Sequence, residues 1–110
     1  MSEQDFREVA RAAADRIRDP DHWCRLDFAK DSDGNSVPAW SPEAVRWCAM
    51  GAVLAEFRKG GESLMRAREP DAWGPLSREF HSRTGLGLMG ANDLKGHDYM
   101  VEALDAIAAG

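Results

Sequence analysis

The sequence predicts a mainly α-helical fold: a single domain of four or five helices packed around a central buried helix at residues 41–58, with one short β-hairpin across about 25–39. Three observations predict it. Apolar residues recur three and four apart near both ends of the sequence, which is the spacing of one helix face. The segment Ser41 to Arg58, SPEAVRWCAMGAVLAEFR, opens with a helix-start signal and then shows apolar side chains on nearly every side. Such a helix must be wrapped by the rest of the chain. Finally, 110 residues supply one domain, 1–110, with one modest core.

The first helix is expected from about Gln4 to Arg18. Phe6, Val9, Ala10, Ala13 and Ile17 form its stripe, and Arg7, Arg11, Asp15 and Arg18 its wet face. Asp19-Pro20 ends it, because proline disfavours helical geometry in the residue before it. Residues 19–40 are irregular. Asp33-Gly34 centres a turn, with hairpin arms near Phe28 and Val37 that must lie against the helices.

Ser41 as cap and Pro42 at the first helical position open the central helix, and Gly60-Gly61 stops it. Val45, Trp47, Cys48, Met50, Val53, Leu54 and Phe57 cover most of its circumference, with Trp47 in the core. A short helix is expected at Glu62 to Arg68, a loop at Glu69 to Pro75, and a further helix from Pro75 to about Thr84 with Leu76 and Phe80 inward. Gly85, Gly87 and Gly90 read as a flexible connection. The last helix runs from about His97 to Ala108, its stripe formed by Met100, Val101, Leu104 and Ile107. Asp98 suits the positive end of its dipole.

Bulk properties exclude some function classes. A net charge of −5 gives no electrostatic footprint for nucleic acid. The longest apolar run falls short of the ~18 residues of a membrane span. The segment MSEQDFREVARAAADRIRDP is charged throughout, unlike a secretory signal. A cytoplasmic location follows as the expectation, with Cys24 and Cys48 as reduced thiols.

Several patterns together resemble a known family. They are Trp23-Cys24, then Asp31-x-Asp33-Gly34, then Arg46-Trp47-Cys48-Ala49-x-Gly51-Ala52, and Asn92-Asp93 followed by His97 and an apolar helix. The set is similar to an uncharacterised family of small bacterial and phage proteins, over residues 20–108. The resemblance implies a shared fold and brings no substrate or cofactor with it.

Four constellations invite chemistry. Cys48, His97 and Asp93 have the residue types of a thiol nucleophile, its base and an orienting group. Against this, Cys48 is expected mid-helix on an apolar surface, whereas reactive thiols favour helix N-termini and partly exposed settings. His22, Cys24, Cys48 and His97 would suit tetrahedral zinc, but the paired ligand spacings are missing, so no metal is expected. Asp31-Ser-Asp33-Gly34-Asn35 fails as a calcium loop. Counted from Asp31, Ser36 stands where glycine is needed and Pro42 where glutamate is needed. Asn92, Asp93 and His97 read either as a cap for the last helix or as a ligand-binding corner under a mobile Gly85–Gly90 flap. The Gly-x-Gly-x-x-Gly there lacks the preceding strand of a dinucleotide site.

Trp23 is expected to close the core, while Trp40 and Trp73 join Asn92, Asp93 and His97 as candidate binding residues, since tryptophan is enriched at interfaces. The resulting expectation is a cofactor-free, non-enzymatic module that binds another protein or its own copy, with a phage-related accessory or host-interfering role by analogy. The alternative is a small hydrolase or transferase using Cys48 with His97.

Overall fold

The computed structural model describes residues 3–59 and 70–110. The described elements are α1 (Glu3–Ile17), a 3₁₀ turn (Pro20–His22), β1 (Ala29–Lys30), β2 (Ser36–Val37), β3 (Arg46–Trp47), α2 (Ala49–Lys59), α3 (Pro70–Thr84), α4 (Leu88–Lys95) and α5 (His97–Ala109). The fold is mainly helical with a short hairpin, as the sequence predicts. The expected helix at 62–68 and the Gly60-Gly61 stop lie outside the described residues.

α1 buries Phe6, Ala10, Ala13, Ala14 and Ile17. It packs most extensively on α5, then on α2 and α3. Its alanines bring the backbones close. Charged groups tie the seams: Arg16 Nε and Nη2 both donate to Glu56 Oε1 at 3.0 and 2.8 Å. Arg18 makes a two-pronged pair with Asp105 on α5 at 2.9 Å per bond.

The hairpin forms where the sequence places it. Ala29 pairs with Val37 and Lys30 with Ser36 in antiparallel register. The Asp31 carboxylate accepts the Asp33 and Asn35 backbone N–H groups at 3.0 and 2.9 Å, and Gly34 takes a left-handed φ of 85°. These bonds hold the Asp31 carboxyl below its usual range.

The central helix differs from the expectation at its start. It begins at Ala49, not Ser41. Ser41 does cap a turn, its Oγ accepting the Glu43 N–H at 3.1 Å, but the turn closes once and stops. Arg46–Trp47 instead forms a third strand on the other side of β1, giving the order β2-β1-β3. The Val45 and Cys48 N–H groups donate to the Lys30 and Phe28 carbonyls at 2.9 and 3.2 Å. A nucleated turn extends only if continued helix beats the alternative, and here the pairing of Arg46–Trp47 with β1, joined by the Val45 N–H, wins. Val45 is accordingly exposed and Trp47 only partly buried. From Ala49 to Ala55 every residue is buried, so the shortened α2 is still enclosed.

Two further boundaries are corrected. The loop expected up to Pro75 is helical from Pro70, which takes the first position with its preset φ, and Pro75 lies inside α3. Leu76 and Phe80 on α3 are fully buried. The connection expected at Gly85–Gly90 folds in part as α4, which places Asn92 and Asp93 inside a helix rather than at a cap. α5 starts after Gly96, at φ 91°, with no side-chain cap.

Candidate functional site

A groove of about 610 Å³ lies between the hairpin and the helices. One wall is Val37 on β2, with Pro38 and Trp40 after it. Met50 and Leu54 on α2 form the floor, and Leu88 and Met89 at the start of α4 form the opposite wall. Among the described residues, Ser36 and Ser77 contribute hydroxyls to its lining. Phe28 and Met89 stand at its rim, 42% and 52% exposed.

Local sequence explains this shape. Gly51 lets α2 lie directly on the Phe28 backbone: a Cβ there would sit 1.8 Å from the Phe28 carbonyl oxygen. That contact sets Phe28 beside Met50. Gly87 and Gly90 face open space, so the α4 wall stays low.

Further along α4, Asn92 is fully buried. Its Oδ1 accepts the Trp23 Nε1–H at 2.8 Å and the Ala49 backbone N–H at 2.9 Å. Its Nδ2 donates to the Cys24 carbonyl and to Asp93 Oδ1, both at 3.2 Å. All four hydrogen-bonding positions of the amide are filled by protein. Asp93 Oδ1 also accepts the Leu26 N–H at 3.1 Å, holding Leu26 at a left-handed φ of 72° with its side chain 81% exposed.

His97 is drawn into the same neighbourhood by edge-to-face contact with Trp23, ring centroids 5.7 Å apart. Its Nε2–H donates to the Ile17 carbonyl at 2.6 Å, which finishes α1, and Nδ1 lies 2.9 Å from Asp98 Oδ1. The structure therefore joins Asn92, Asp93 and His97 through Trp23 and the Trp23–Leu26 loop. Trp40 is apart from them, on the groove. Trp73 lies in α3 and its side chain is outside the described residues.

Cys48 is at the N-terminus of α2, not mid-helix. Its carbonyl accepts the Ala52 N–H at 2.8 Å and its sulfur accepts the Gly51 N–H at 3.2 Å, so the thiol acts as the helix cap. The N-terminal position favours a thiolate, but burial outweighs it: the side chain is 4% exposed and desolvation pushes the thiol pKa up, with Asp93 adding to the rise. Cys24 is also buried, and desolvation followed by the charge of Cys48 pushes its thiol to about 11. Neither nitrogen of His97 is bonded to a thiol. His22 is exposed in the 3₁₀ turn. Among the described residues, no group of three or more His, Cys, Asp or Glu side chains is placed to hold a metal ion. No described helix is long and apolar enough to cross a membrane.

Sequence reasoning named Trp40 and the glycine segment but missed the groove they help to line. The signal was present at Leu88, Ala91 and Asn92, whose spacing is that of a helix face. Gly87 and Gly90 obscured it.

By fold, then, the molecule is a small mainly α domain with a three-stranded sheet, an apolar groove and a buried asparagine hub. The chain belongs to DUF6197, a family of unknown function whose model matches residues 1–110. Comparison with curated proteins and with solved structures gave no match.

Proposed function

We propose that this protein is a non-enzymatic interaction module, acting in the cytoplasm, whose groove receives an apolar segment of another protein or of a second copy. The observation that carries this reading is the groove itself: two mainly apolar walls, a floor of Met50 and Leu54, and exposed Phe28 and Met89 at the rim. Methionine and aromatic side chains adapt to apolar anchors and dominate interface energetics. A phage-related accessory or host-interfering role fits such a module by analogy with the resemblance described above.

The test is retention of a partner from host lysate by the wild-type chain and by Met89→Lys. Met89 is half exposed, so the charge enters the groove rim without disturbing the core. Loss of the retained protein with Met89→Lys supports the reading. Equal retention by both, or no retention together with monomeric behaviour, overturns it.

The helix N-terminal position of Cys48 favours a second reading, a cysteine-dependent hydrolase or transferase. It requires a thiolate, and its partner His97 is engaged by Ile17 and Asp98 instead. Native Cys48 reacting with a thiol probe as fast as in the unfolded chain would favour the enzyme. Protection by about a hundredfold or more, in line with burial, would remove it.

A further inference from the structure

The two cysteines lie in segments that run side by side. Trp23 and Trp47 form a parallel bridge, and the Cys24 N–H donates to the Trp47 carbonyl at 3.1 Å. Cys24 and Cys48 each follow one of these bridged tryptophans by one residue. Neighbouring strands lie roughly 4.7–4.9 Å apart, of the same order as the roughly 4.4–6.8 Å between Cα atoms that a disulfide needs. The two residues also share their surroundings. Cys24 Sγ–H donates to the Asp27 carbonyl at 3.6 Å, and the Cys48 N–H donates to the next carbonyl, Phe28, at 3.2 Å. Asn92 clamps both sides, through the Cys24 carbonyl and the Ala49 N–H. The charge of Cys48 is among the causes that raise the Cys24 thiol, which agrees with close approach.

We propose that Cys24 and Cys48 form a reversible intramolecular disulfide, a redox-sensitive staple between the Trp23–Phe28 loop and the first turn of α2. The oxidant is a small-molecule disulfide such as oxidised glutathione. A thiolate of one cysteine attacks the disulfide and releases one reduced thiol. The second cysteine, as thiolate, then displaces the other. Two protein thiols are oxidised, one disulfide is reduced to two thiols, and the two protons end on the released thiols. Burial makes the first step slow in the closed fold. The exposed Leu26, two residues from Cys24, offers the oxidant a route through that loop. The staple has a consequence for the groove, because Phe28 and Met50 stand within four residues of the two cysteines and both line it.

The experiment treats the native full chain with a graded ratio of oxidised to reduced glutathione. Intact mass and peptide mapping under non-reducing conditions follow. The expected product is lighter by two hydrogens, contains a peptide pair linked through Cys24 and Cys48, and reverts with dithiothreitol. It unfolds at higher urea than the reduced form, because the cross-link restricts the unfolded chain. Cys24→Ser and Cys48→Ser should each abolish the mass loss. Glutathione adducts on both cysteines without the internal link, a disulfide-linked dimer, or no change after exhaustive oxidation would each overturn the proposal. The mapping is done on the wild-type chain, so poor folding of a variant does not affect it.

Discussion

Among the described residues, the Asn92 side chain serves four groups at once. Replacing it with alanine leaves the Trp23 indole N–H, the Ala49 N–H and the Cys24 carbonyl without their partner in a buried setting. Asn92→Ala is therefore expected to cost about 3–5 kcal/mol in urea denaturation, well above an ordinary surface truncation. The thiols supply a pH signature. Cys24 is raised from 9.0 to about 11, so the folded state holds its proton more tightly than the unfolded chain. Its contribution is complete below pH 9 and is lost as pH rises through about 11. Stability should fall across that window, and Cys24→Ala should flatten the fall. On the acid side the sign reverses. Arg18 holds the Asp105 carboxyl below its usual range, so that contribution is present above the ordinary carboxylate pKa and disappears as pH drops through the lowered one. Arg18→Ala should shrink the acid-side slope, read from denaturation midpoints between pH 5 and about 2.

At the scale of elements, glycines divide by what stands opposite them. Gly51→Ala drives a methyl group into the Phe28 backbone, which cannot swing aside as a side chain would. A loss of about 3 kcal/mol or more is expected in chemical denaturation. Gly90 sits in α4 with open space beside it, so Gly90→Ala should add about 0.5–1 kcal/mol by removing freedom from the unfolded chain. The same elements show what the sequence made legible. The stripes of α1 and α5 are long and regular, and both helices fall within a residue or two of expectation. The Asp33-Gly34 turn located the hairpin. The start of α2 was misread because Ser41-Pro42 is a sound local signal that a non-local pairing overrides, and nothing in Val45-Arg46-Trp47 says that β1 waits beside it. Cys48 consequently changed setting, from helix interior to helix cap. α4 was hidden by its glycines, and with it the groove wall and the true position of Asn92.

For the whole molecule, α1 is the common partner of α5, α2 and α3. The Arg16 guanidinium lies 4.7 Å over the Trp47 ring while pairing with Glu56, so one side chain joins α1, α2 and β3. Arg16 is better sheltered than Arg18, and Arg16→Ala should destabilise more than Arg18→Ala in the same assay. Among the described residues every buried side-chain nitrogen and oxygen has a partner. The hub is thus part of a closed polar network rather than a half-open site, whereas the groove is open and mostly apolar.

The reach of Asn92 sets an order of events in time. Its partners Ala49 and Trp23 lie 43 and 69 residues earlier in the chain. Contacts that distant close late, since a long loop must be ordered before they form. While the chain is being synthesised, the Trp23 loop and the first turn of α2 are made long before the amide that satisfies them has emerged. Until then those backbone groups belong to water, and the segment from Trp23 to Ala49 is open to proteases. A nascent chain halted short of residue 92 should be cut there readily, and one extended past α5 should resist.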